Sequence, residues 1–281
     1  MSRGLSIVEG VFGRACLLDK DRRVGLHAHP EPHIVLKIAG SDFDYEVGDV
    51  LAPCTRASIV LVNALELHSN HSIGKDHSII LSFYLSPQWL VDQHPSLLVG
   101  GKLFHRPSMA IPARVREIAD RLAGEMMQPG EVKAERLQFL VSELVLHTFE
   151  HCGPPLEQVI YAGKLNDFRI RRAVTLMRDN VDRTPDLAEV AAKVGLSRSR
   201  FFELFATCTG VAPKQYLDML RMEAAIEALS RGGQSIAEIA DACGYSAQSH
   251  FTRFFVQQIG ITPGEYRRAA QSREPSASQA G

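Results

Sequence analysis

LAEVAAKVGLS at residues 187–197 and IAEIADACGYS at residues 236–246 follow one pattern, and an offset of 49 residues separates them. The second copy then gains one residue. At an offset of 50 the agreement continues through five pairs: Phe201 with Phe251, Phe205 with Phe255, Gly210 with Gly260, Pro213 with Pro263 and Tyr216 with Tyr266. The C-terminal part of the chain therefore contains two copies of one structural unit.

Each copy has the pattern of a helix, a short turn and a second helix. Apolar residues recur at steps of three and four, as on the buried side of an α-helix. Gly195 and Gly244 follow the first helix, and glycine readily adopts the left-handed conformation that ends a helix. Ser197 and Ser246 then offer hydroxyls that can cap the next helix. These features predict two helix-turn-helix units, whose second helices have a shape that enters the DNA major groove.

A longer helix, predicted from Pro213 to Leu229, connects the two units. Such a connection can hold two reading helices in successive major grooves, roughly 34 Å apart on one face of DNA. Helix-turn-helix hairpins also occur in helical bundles that bind no DNA. A packing repeat therefore remains an alternative at this point.

Residues 235–268, SIAEIADACGYSAQSHFTRFFVQQIGITPGEYRR, resemble the signature of the AraC/XylS family of transcription regulators. The resemblance extends over residues 164–270. The first unit follows the same frame, although its segment LFATCTG departs from the more basic segment usual in the family. The resemblance implies double-stranded DNA as a partner, RNA polymerase as a second partner, no enzymatic activity, and an N-terminal domain that acts as a sensor without metal chemistry.

The same resemblance implies that the first reading helix discriminates DNA sequence. Residues that point away from the aromatic stripe are the candidates for base contact: Ser199, Arg200, Phe202 and Glu203 in the first unit, and Gln248, Ser249, His250 and Arg253 in the second. Arg200 suits a guanine, Glu203 a cytosine amine and Phe202 a thymine methyl group. Arg198 and Arg267 are predicted to contact phosphate, which positions the domain without reading sequence.

The N-terminal part of the chain has a different pattern. Short segments rich in Ile, Val, Phe and Tyr, separated by Gly, Asp and Pro, predict strands at 33–40, 43–53, 57–68 and 77–85. Several short strands with turns between them are typical of a β-barrel or jelly roll. Apolar steps of three and four residues then predict helices over 113–127 and 131–151, which form a helical hairpin.

These patterns predict an α+β chain. Its five parts are a β-barrel at 1–112, a helical hairpin at 113–152, a linker at 153–163, a double helix-turn-helix domain at 164–270 and a disordered tail at 271–281. The family resemblance implies that the barrel is a sensor, and the spacing of its histidines makes it cupin-like. The second helix of the hairpin is apolar over more than one face. It therefore packs on the barrel or supplies a dimer interface.

Ten of the eleven histidines precede residue 152. Four of them have a spacing that resembles the cupin metal-ligand pattern: His27, His29, His33 and His68. Imidazoles suit Zn, Fe, Ni or Cu. Because His33 stands where that pattern has a carboxylate, we predict an effector pocket without a cofactor, and a bound metal remains an alternative. Asn63, Glu66 and Tyr84 are candidate neighbours in this pocket.

The charge distribution agrees with two parts of different chemistry. The net charge is −1, yet residues 164–270 hold 15 Lys and Arg against 12 Asp and Glu, whereas residues 1–163 hold 15 against 19. A modest basic excess suits a domain with a few phosphate contacts. The sequence has no apolar run of membrane-spanning length and no secretory leader pattern, so we expect a cytoplasmic protein without membrane contact. No motif of a hydrolase or NTPase is present.

We expect a sequence-specific DNA-binding transcription regulator, a homodimer controlled by a small-molecule effector in the N-terminal barrel. Two alternatives remain: a metal-dependent cupin enzyme with an appended DNA-binding domain, and an effector-independent dimeric DNA binder. The effector, the target promoters and the direction of regulation leave no recognisable motif.

Overall fold

The computed structural model describes residues 2–71, 77–93, 102–128, 134–152, 167–181 and 185–271. The predicted linker at 153–163 and residues 272–281 of the predicted tail lie outside the described residues. The first residue of that tail, Gln271, is still helical. A β-sheet domain followed by a helical domain confirms the α+β fold class.

The described residues of the N-terminal domain form two antiparallel sheets. The larger sheet has the strand order β1 (Arg3–Gly10), β2 (Gly13–Lys20), β8 (Ser78–Leu85), β3 (His33–Gly40), β6 (Ser58–Val62) and β9 (Ser108–Ala110). The smaller sheet has the order β5 (Val50–Cys54), β4 (Phe43–Val47) and β7 (His68–Asn70). This two-sheet arrangement agrees with the barrel or jelly roll that the sequence predicts.

The strand predictions differ from the structure in several places. The segment 43–53 is a hairpin rather than one strand, because Gly48 at φ 56° turns the chain between β4 and β5. The segment 57–68 contains only β6 and the first residue of β7. No strand segment was predicted at β2 or β9. Strand β1 was not predicted either, since its sequence RGLSIVEG carries two glycines and two charged residues. It is stabilised by pairing with β2.

Within the part of the N-terminal domain that the structure describes, three helices accompany the sheets: α1 (Pro87–Gln93), α2 (Ala113–Met127) and α3 (Ala134–Cys152). The apolar sides of α2 and α3 share one hydrophobic core with the large sheet, where Leu122 and Leu144 join Phe83. The hairpin therefore packs on the sheet. Phe139 and Leu146 on the outer side of α3 remain 62% and 37% exposed.

The described residues of the C-terminal domain form helices joined by short turns. Its helices are α4 (Phe168–Arg178), α5 (Leu187–Lys193), α6 (Arg198–Thr209), α7 (Pro213–Arg231), α8 (Ile236–Ala242), α9 (Gln248–Ile259) and α10 (Pro263–Gln271). Helices α5 and α6 form the first predicted unit, and α8 and α9 form the second. Gly195 and Gly244 have φ angles of 72° and 77°, which confirms the predicted turns.

The two reading helices begin differently. The Ser197 hydroxyl accepts a hydrogen bond from the Arg200 backbone N–H at 3.3 Å, so it caps α6 as predicted. The corresponding prediction for Ser246 was wrong. Ala247 is the N-cap of α9 and provides no side-chain hydrogen bond. The residue inserted in the second copy moves the start of the helix past the serine.

The two units also have different hydrophobic surroundings. Phe201 and Phe205 of the first unit belong to a core that includes Ile170 and Met177 of α4. Phe255 and Tyr266 of the second unit share a core with N-terminal residues, which include Ile7, Leu18 and Val35. The second unit and the barrel are therefore packed as one body of apolar residues.

Polar contacts reinforce this docking. The Gly25 backbone N–H donates to the Gln257 carbonyl of α9 at 2.9 Å. The Ser230 hydroxyl of α7 donates to Glu9 of β1 at 2.6 Å. Strand β1 also packs closely on α10, since a Cβ placed on Gly4 would lie 2.8 Å from the Ala269 Cβ.

The repeat supplies a matched test of this interface at Gly210 and Gly260, which have φ angles of 80° and 88°. Alanine in this conformation costs roughly 1–2 kcal/mol at either site. A Cβ on Gly210 meets nothing within 4 Å, whereas one on Gly260 lies 3.2 Å from the Val24 Cγ2 and 3.3 Å from the Lys20 Cε. We expect Gly260→Ala to lower the Tm of thermal unfolding more than Gly210→Ala. Equal decreases in Tm for the two variants would show that Val24 and Lys20 move to accommodate the new methyl group without loss of stability.

No helix within the described ranges is long and apolar enough to cross a membrane.

Candidate nucleic-acid interface and histidine site

The first reading helix, α6, turns its predicted contact residues toward solvent. Arg198, Ser199, Arg200 and Glu203 are exposed, and Phe202 is half-buried. Arg200 donates to a Glu203 carboxylate oxygen at 2.9 Å. An exposed ion pair of this kind contributes little to stability, so Arg200 can exchange Glu203 for another acceptor at small cost.

The opposite side of α6 is fixed by aromatic packing. Phe201 and Phe205 are fully buried, with ring centroids 5.4 Å apart. Phe205 also packs edge-on against Tyr216 of α7, again with centroids 5.4 Å apart. These contacts hold α6 against the connecting helix and set the direction of its polar side.

The second reading helix, α9, repeats this arrangement. Phe251 and Phe255 are buried, and Phe255 packs edge-on against Tyr266 at 5.6 Å. The predicted outward residues are all exposed: Gln248, Ser249, His250 and Arg253. Seven of these eight positions of α6 and α9 are therefore open to solvent among the described residues, and Phe202 is half-buried.

Arg267, predicted to contact phosphate, has a different environment. It is half-buried, and its Nε and one Nη are enclosed without a hydrogen-bond acceptor among the described residues. A contact with phosphate would require neighbouring side chains to move. Arg198, in contrast, is exposed, with its guanidinium 5.6 Å from the Phe202 ring centroid.

The four predicted effector histidines come together in the N-terminal domain. The ring centroid of His68 lies 4.2 Å from that of His27, 4.9 Å from that of His29 and 5.6 Å from that of His33. The backbones of His27 and His68 exchange two hydrogen bonds, of 2.9 and 2.8 Å. This bridge, rather than alternation along one strand, gathers the histidines, since β3 begins only at His33.

Three of these imidazoles have a defined orientation because each Nδ1 lies within hydrogen-bond distance of a backbone carbonyl. The pairs are His27 with Gly25 at 2.8 Å, His29 with Glu31 at 2.7 Å, and His68 with Glu66 at 2.9 Å. An Nδ1 that donates to a carbonyl leaves the lone pair of the neutral ring on Nε2. The Nε2 atoms of His29 and His68 are buried and have no hydrogen-bond partner among the described residues.

The surroundings keep these rings neutral. Burial lowers the pKa of His68 to about 4. Burial also holds the pKa values of His27, His29 and His33 well below the usual range, and the proximity of His68 adds to each decrease. All four rings are therefore uncharged near neutral pH.

A cavity of about 30 Å³ adjoins the histidines at the junction of the two domains. Its lining includes Arg14, His27, His29, Glu31 and Tyr84 from the N-terminal domain, and Asp218, Met219, Met222, Glu223, Ile226, Gln258 and Ile259 from the C-terminal domain. The volume suits one or two water molecules. Pockets for drug-sized ligands measure roughly 300–1,000 Å³, so this cavity is too small for a ligand of that size unless the two domains move apart.

The candidate neighbours have different positions. Tyr84 lines the cavity and stacks on His33, with ring centroids 4.3 Å apart. Asn63 instead holds a turn, because its amide donates to Glu66 at 2.8 Å and its carbonyl accepts from the Phe104 N–H at 2.7 Å. Sequence reasoning missed Arg14, since no local pattern indicates that it packs over Tyr84.

Glu223, which sequence reasoning also missed, predicts a pH dependence. Burial raises its pKa from 4.5 to about 7, and Glu31 across the domain junction adds to the increase. A carboxyl whose pKa is higher in the folded state than in the unfolded state lowers the stability of the protein as the pH rises. The loss begins near the unfolded-state pKa and is complete above the folded-state pKa. We expect Glu223→Gln to match the wild type near pH 4.5 and to be more stable at pH 8, by on the order of 1–3 kcal/mol.

Urea unfolding at both pH values measures this difference. Glu227→Gln is the matched control, because Glu227 is exposed one turn further along α7. A constant difference between Glu223→Gln and the wild type at both pH values would contradict the raised pKa.

Comparison with known proteins supports the interpretation of the repeat. Residues 190–269 match a family model described as a helix-turn-helix domain. The HTH-type transcriptional regulator GbdR of Pseudomonas aeruginosa (strain UCBPP-PA14) is 27% identical over 145 residues, which are 52% of this chain and 39% of GbdR. An AraC-like transcription regulator of Streptomyces lividans is 31% identical over 135 residues, 48% of this chain and 44% of that protein. The chain thus spans less than half the length of these curated relatives.

The complete fold resembles a solved structure of ToxT from Vibrio cholerae strain SCE256, bound to an unsaturated fatty acid. The TM-score is 0.56 at 15% identity, and the match covers 95% of this chain and 96% of ToxT. At this identity the likeness concerns the fold alone. The relatives are transcription regulators rather than enzymes. The duplicated unit, the matched helix-turn-helix model over residues 190–269 and the similarity to these regulators show that the C-terminal part of the chain is a DNA-binding helix-turn-helix domain of the AraC type.

Proposed function

We propose that the chain binds a specific DNA sequence by placing α6 and α9 in successive major grooves of one duplex. One observation carries this proposal: both helices bury a pair of phenylalanines and expose a polar side. If the repeat served packing alone, these polar sides would be expected to lie against protein, whereas they are exposed among the described residues.

The proposed DNA contacts fall into two groups, those to bases and those to phosphates. Arg200, Glu203 and Phe202 are the proposed base contacts of α6, through a guanine, a cytosine amine and a thymine methyl group respectively. Ser199 completes that set, and α9 contributes Gln248, Ser249, His250 and Arg253. Arg198 and Arg267 are the proposed phosphate contacts, and for Arg267 this contact requires the rearrangement noted above.

Selection of bound sequences from random DNA tests the proposal on the full chain. We expect a site with two contacted segments about 10–10.5 base pairs apart, because two helices on one DNA face meet the major groove once per turn. Footprinting then locates both segments. Selected pools without a common sequence, at low salt, would contradict the proposal.

We further propose that the N-terminal domain controls the reader through a small effector at the histidine cavity. The cavity is lined from both domains, so a ligand there contacts the sensor and the connecting helix α7 together. A ligand shifts such an arrangement only to the extent that it binds one state more tightly than the other. RNA polymerase, which the family resemblance implies as a second partner, remains a prediction.

The proposed homodimer would use α3. Phe139 and Leu146 lie seven residues apart, on one side of this helix, and both are exposed. We expect light scattering to give twice the chain mass of 31.0 kDa, and Phe139→Ser to shift the protein toward the monomer. A monomeric wild type at micromolar concentration would contradict this assignment.

A further inference from the structure

Three imidazoles of the histidine cluster converge on one point. One ring nitrogen of each of His27, His29 and His68 lies within 4.8 Å of the other two. Tetrahedral ligands at the usual Zn–N distance of about 2.0–2.1 Å are roughly 3.4 Å apart. Small rotations of the side chains therefore suffice to bring the three nitrogens to coordination distance. His33 is outside this group and stacks on Tyr84 instead.

The hydrogen bonds around the three rings prepare them for an ion. Each Nδ1 is held by a backbone carbonyl, which is the usual outer contact of a metal-binding histidine. That contact fixes the tautomer and directs the Nε2 lone pair inward. The buried Nε2 atoms of His29 and His68 have no other partner among the described residues, although buried polar atoms are normally paired.

The donor set selects a class of metal. Neutral imidazoles bind Zn²⁺, Cu²⁺, Ni²⁺ and related ions, whereas Mg²⁺ and Ca²⁺ require oxygen ligands. Three protein ligands leave a coordination position for water. The adjoining cavity, lined by His27 and His29, has the volume for that water at about 30 Å³.

One residue connects this site to the second reading helix. The Gly25 carbonyl accepts from His27 Nδ1 at 2.8 Å, and the Gly25 N–H donates to the Gln257 carbonyl of α9 at 2.9 Å. A metal that fixes the His27 ring therefore also restricts Gly25. Because the exposed contact residues of the second unit belong to α9, the ion is linked to the reader through two hydrogen bonds.

We propose that His27, His29 and His68 bind a divalent first-row transition metal ion, and that this ion is the effector that acts on α9. The effector role rests on the proposed function, whereas the metal site does not. The ion serves here as a signal, since the curated proteins that the chain resembles are transcription regulators.

Titration of the full chain with Zn²⁺, after removal of metals by a chelator, tests the site. We expect one ion per chain. His27→Ala, His29→Ala and His68→Ala should each weaken binding by more than about 100-fold, since residues that merely support metal ligands already change affinity 10- to 100-fold. His105→Ala is the matched control, because His105 is exposed and is not a member of the cluster.

X-ray absorption of the Co²⁺-loaded wild type gives an answer that does not depend on how the variants fold. Three imidazole nitrogens around the ion support the site. Absence of binding, undiminished binding in the three variants, or a ligand set without imidazole would overturn it.

Affinity for the selected DNA sequence, measured with Zn²⁺ and with chelator, tests the effector role. We expect at least a fivefold change, the lower end of typical coupling between two sites. Stoichiometric Zn²⁺ binding with unchanged DNA affinity would overturn the effector role and leave the metal site in place. A chain that binds Zn²⁺ but prefers no DNA sequence would instead overturn the proposed function.

Discussion

Phe255→Ala is expected to lower the free energy of unfolding by about 3–5 kcal/mol, the usual cost of removing a fully buried aromatic ring. Phe255 is completely buried and contacts Phe251 and Tyr266. Its core extends into the N-terminal domain, so the loss should affect both domains. Phe205→Ala, at the equivalent position of the repeat, removes a ring from a core formed by the first unit together with α4 and α7, to which the N-terminal domain contributes none of the residues that the structure describes.

Two probes separate these effects in one urea titration. The single tryptophan, Trp89, is buried in the N-terminal domain and reports its unfolding, whereas circular dichroism reports mainly the helices. Phe255→Ala should shift both transitions, and Phe205→Ala only the dichroism transition. Phe168→Ala is the control, because this ring is 67% exposed at the start of α4. An unshifted tryptophan transition in Phe255→Ala would contradict the shared core.

Arg200→Ala should weaken binding to the selected DNA site by about 1–3 kcal/mol, or roughly 5- to 150-fold, because a guanidinium fork on a base edge is lost. Arg253→Ala should have a similar effect through the second unit. Neither side chain is buried, so the unfolding transition should not change. Quantitative gel shifts on matched and altered sites measure both affinity and preference.

Arg231→Ala is the matched control for these variants. Its side chain is 72% exposed at the end of α7, outside both reading helices, and its partner is Glu227 on the same helix. If Arg200→Ala retained the site preference of the wild type, Arg200 would not be a base contact. If Arg231→Ala lost as much affinity for DNA as Arg200→Ala, the loss would reflect the change in net charge alone.

The parts of the fold that follow from local pattern were predictable. Glycines such as Gly195 and Gly244 end helices through their own backbone freedom, and the twin phenylalanines repeat at helical spacing. Strand β3 begins and ends where the sequence predicts, because a run of β-branched and aliphatic residues is bounded by turn residues.

The parts that depend on docking were not predictable. Strand β1 is stabilised by partners along β2 and on α10, which a local window does not contain. The histidine set was predicted from a spacing that resembles the cupin pattern, and its four rings lie close together in the structure. Glu31 and Glu223 meet only because α7 lies against the barrel, nearly two hundred residues further along the chain.

The shared core of the barrel and the second unit has a practical consequence for protein engineering. Consider a hybrid in which the N-terminal domain of another regulator is fused to this helix-turn-helix domain at the predicted linker, residues 153–163. Such a cut would separate the two halves of the shared hydrophobic core. Ile226, Leu229 and Tyr266 would then be uncovered on the transplanted reader. A working hybrid must carry β1 and β2 along with the helices, or replace these apolar side chains with polar ones.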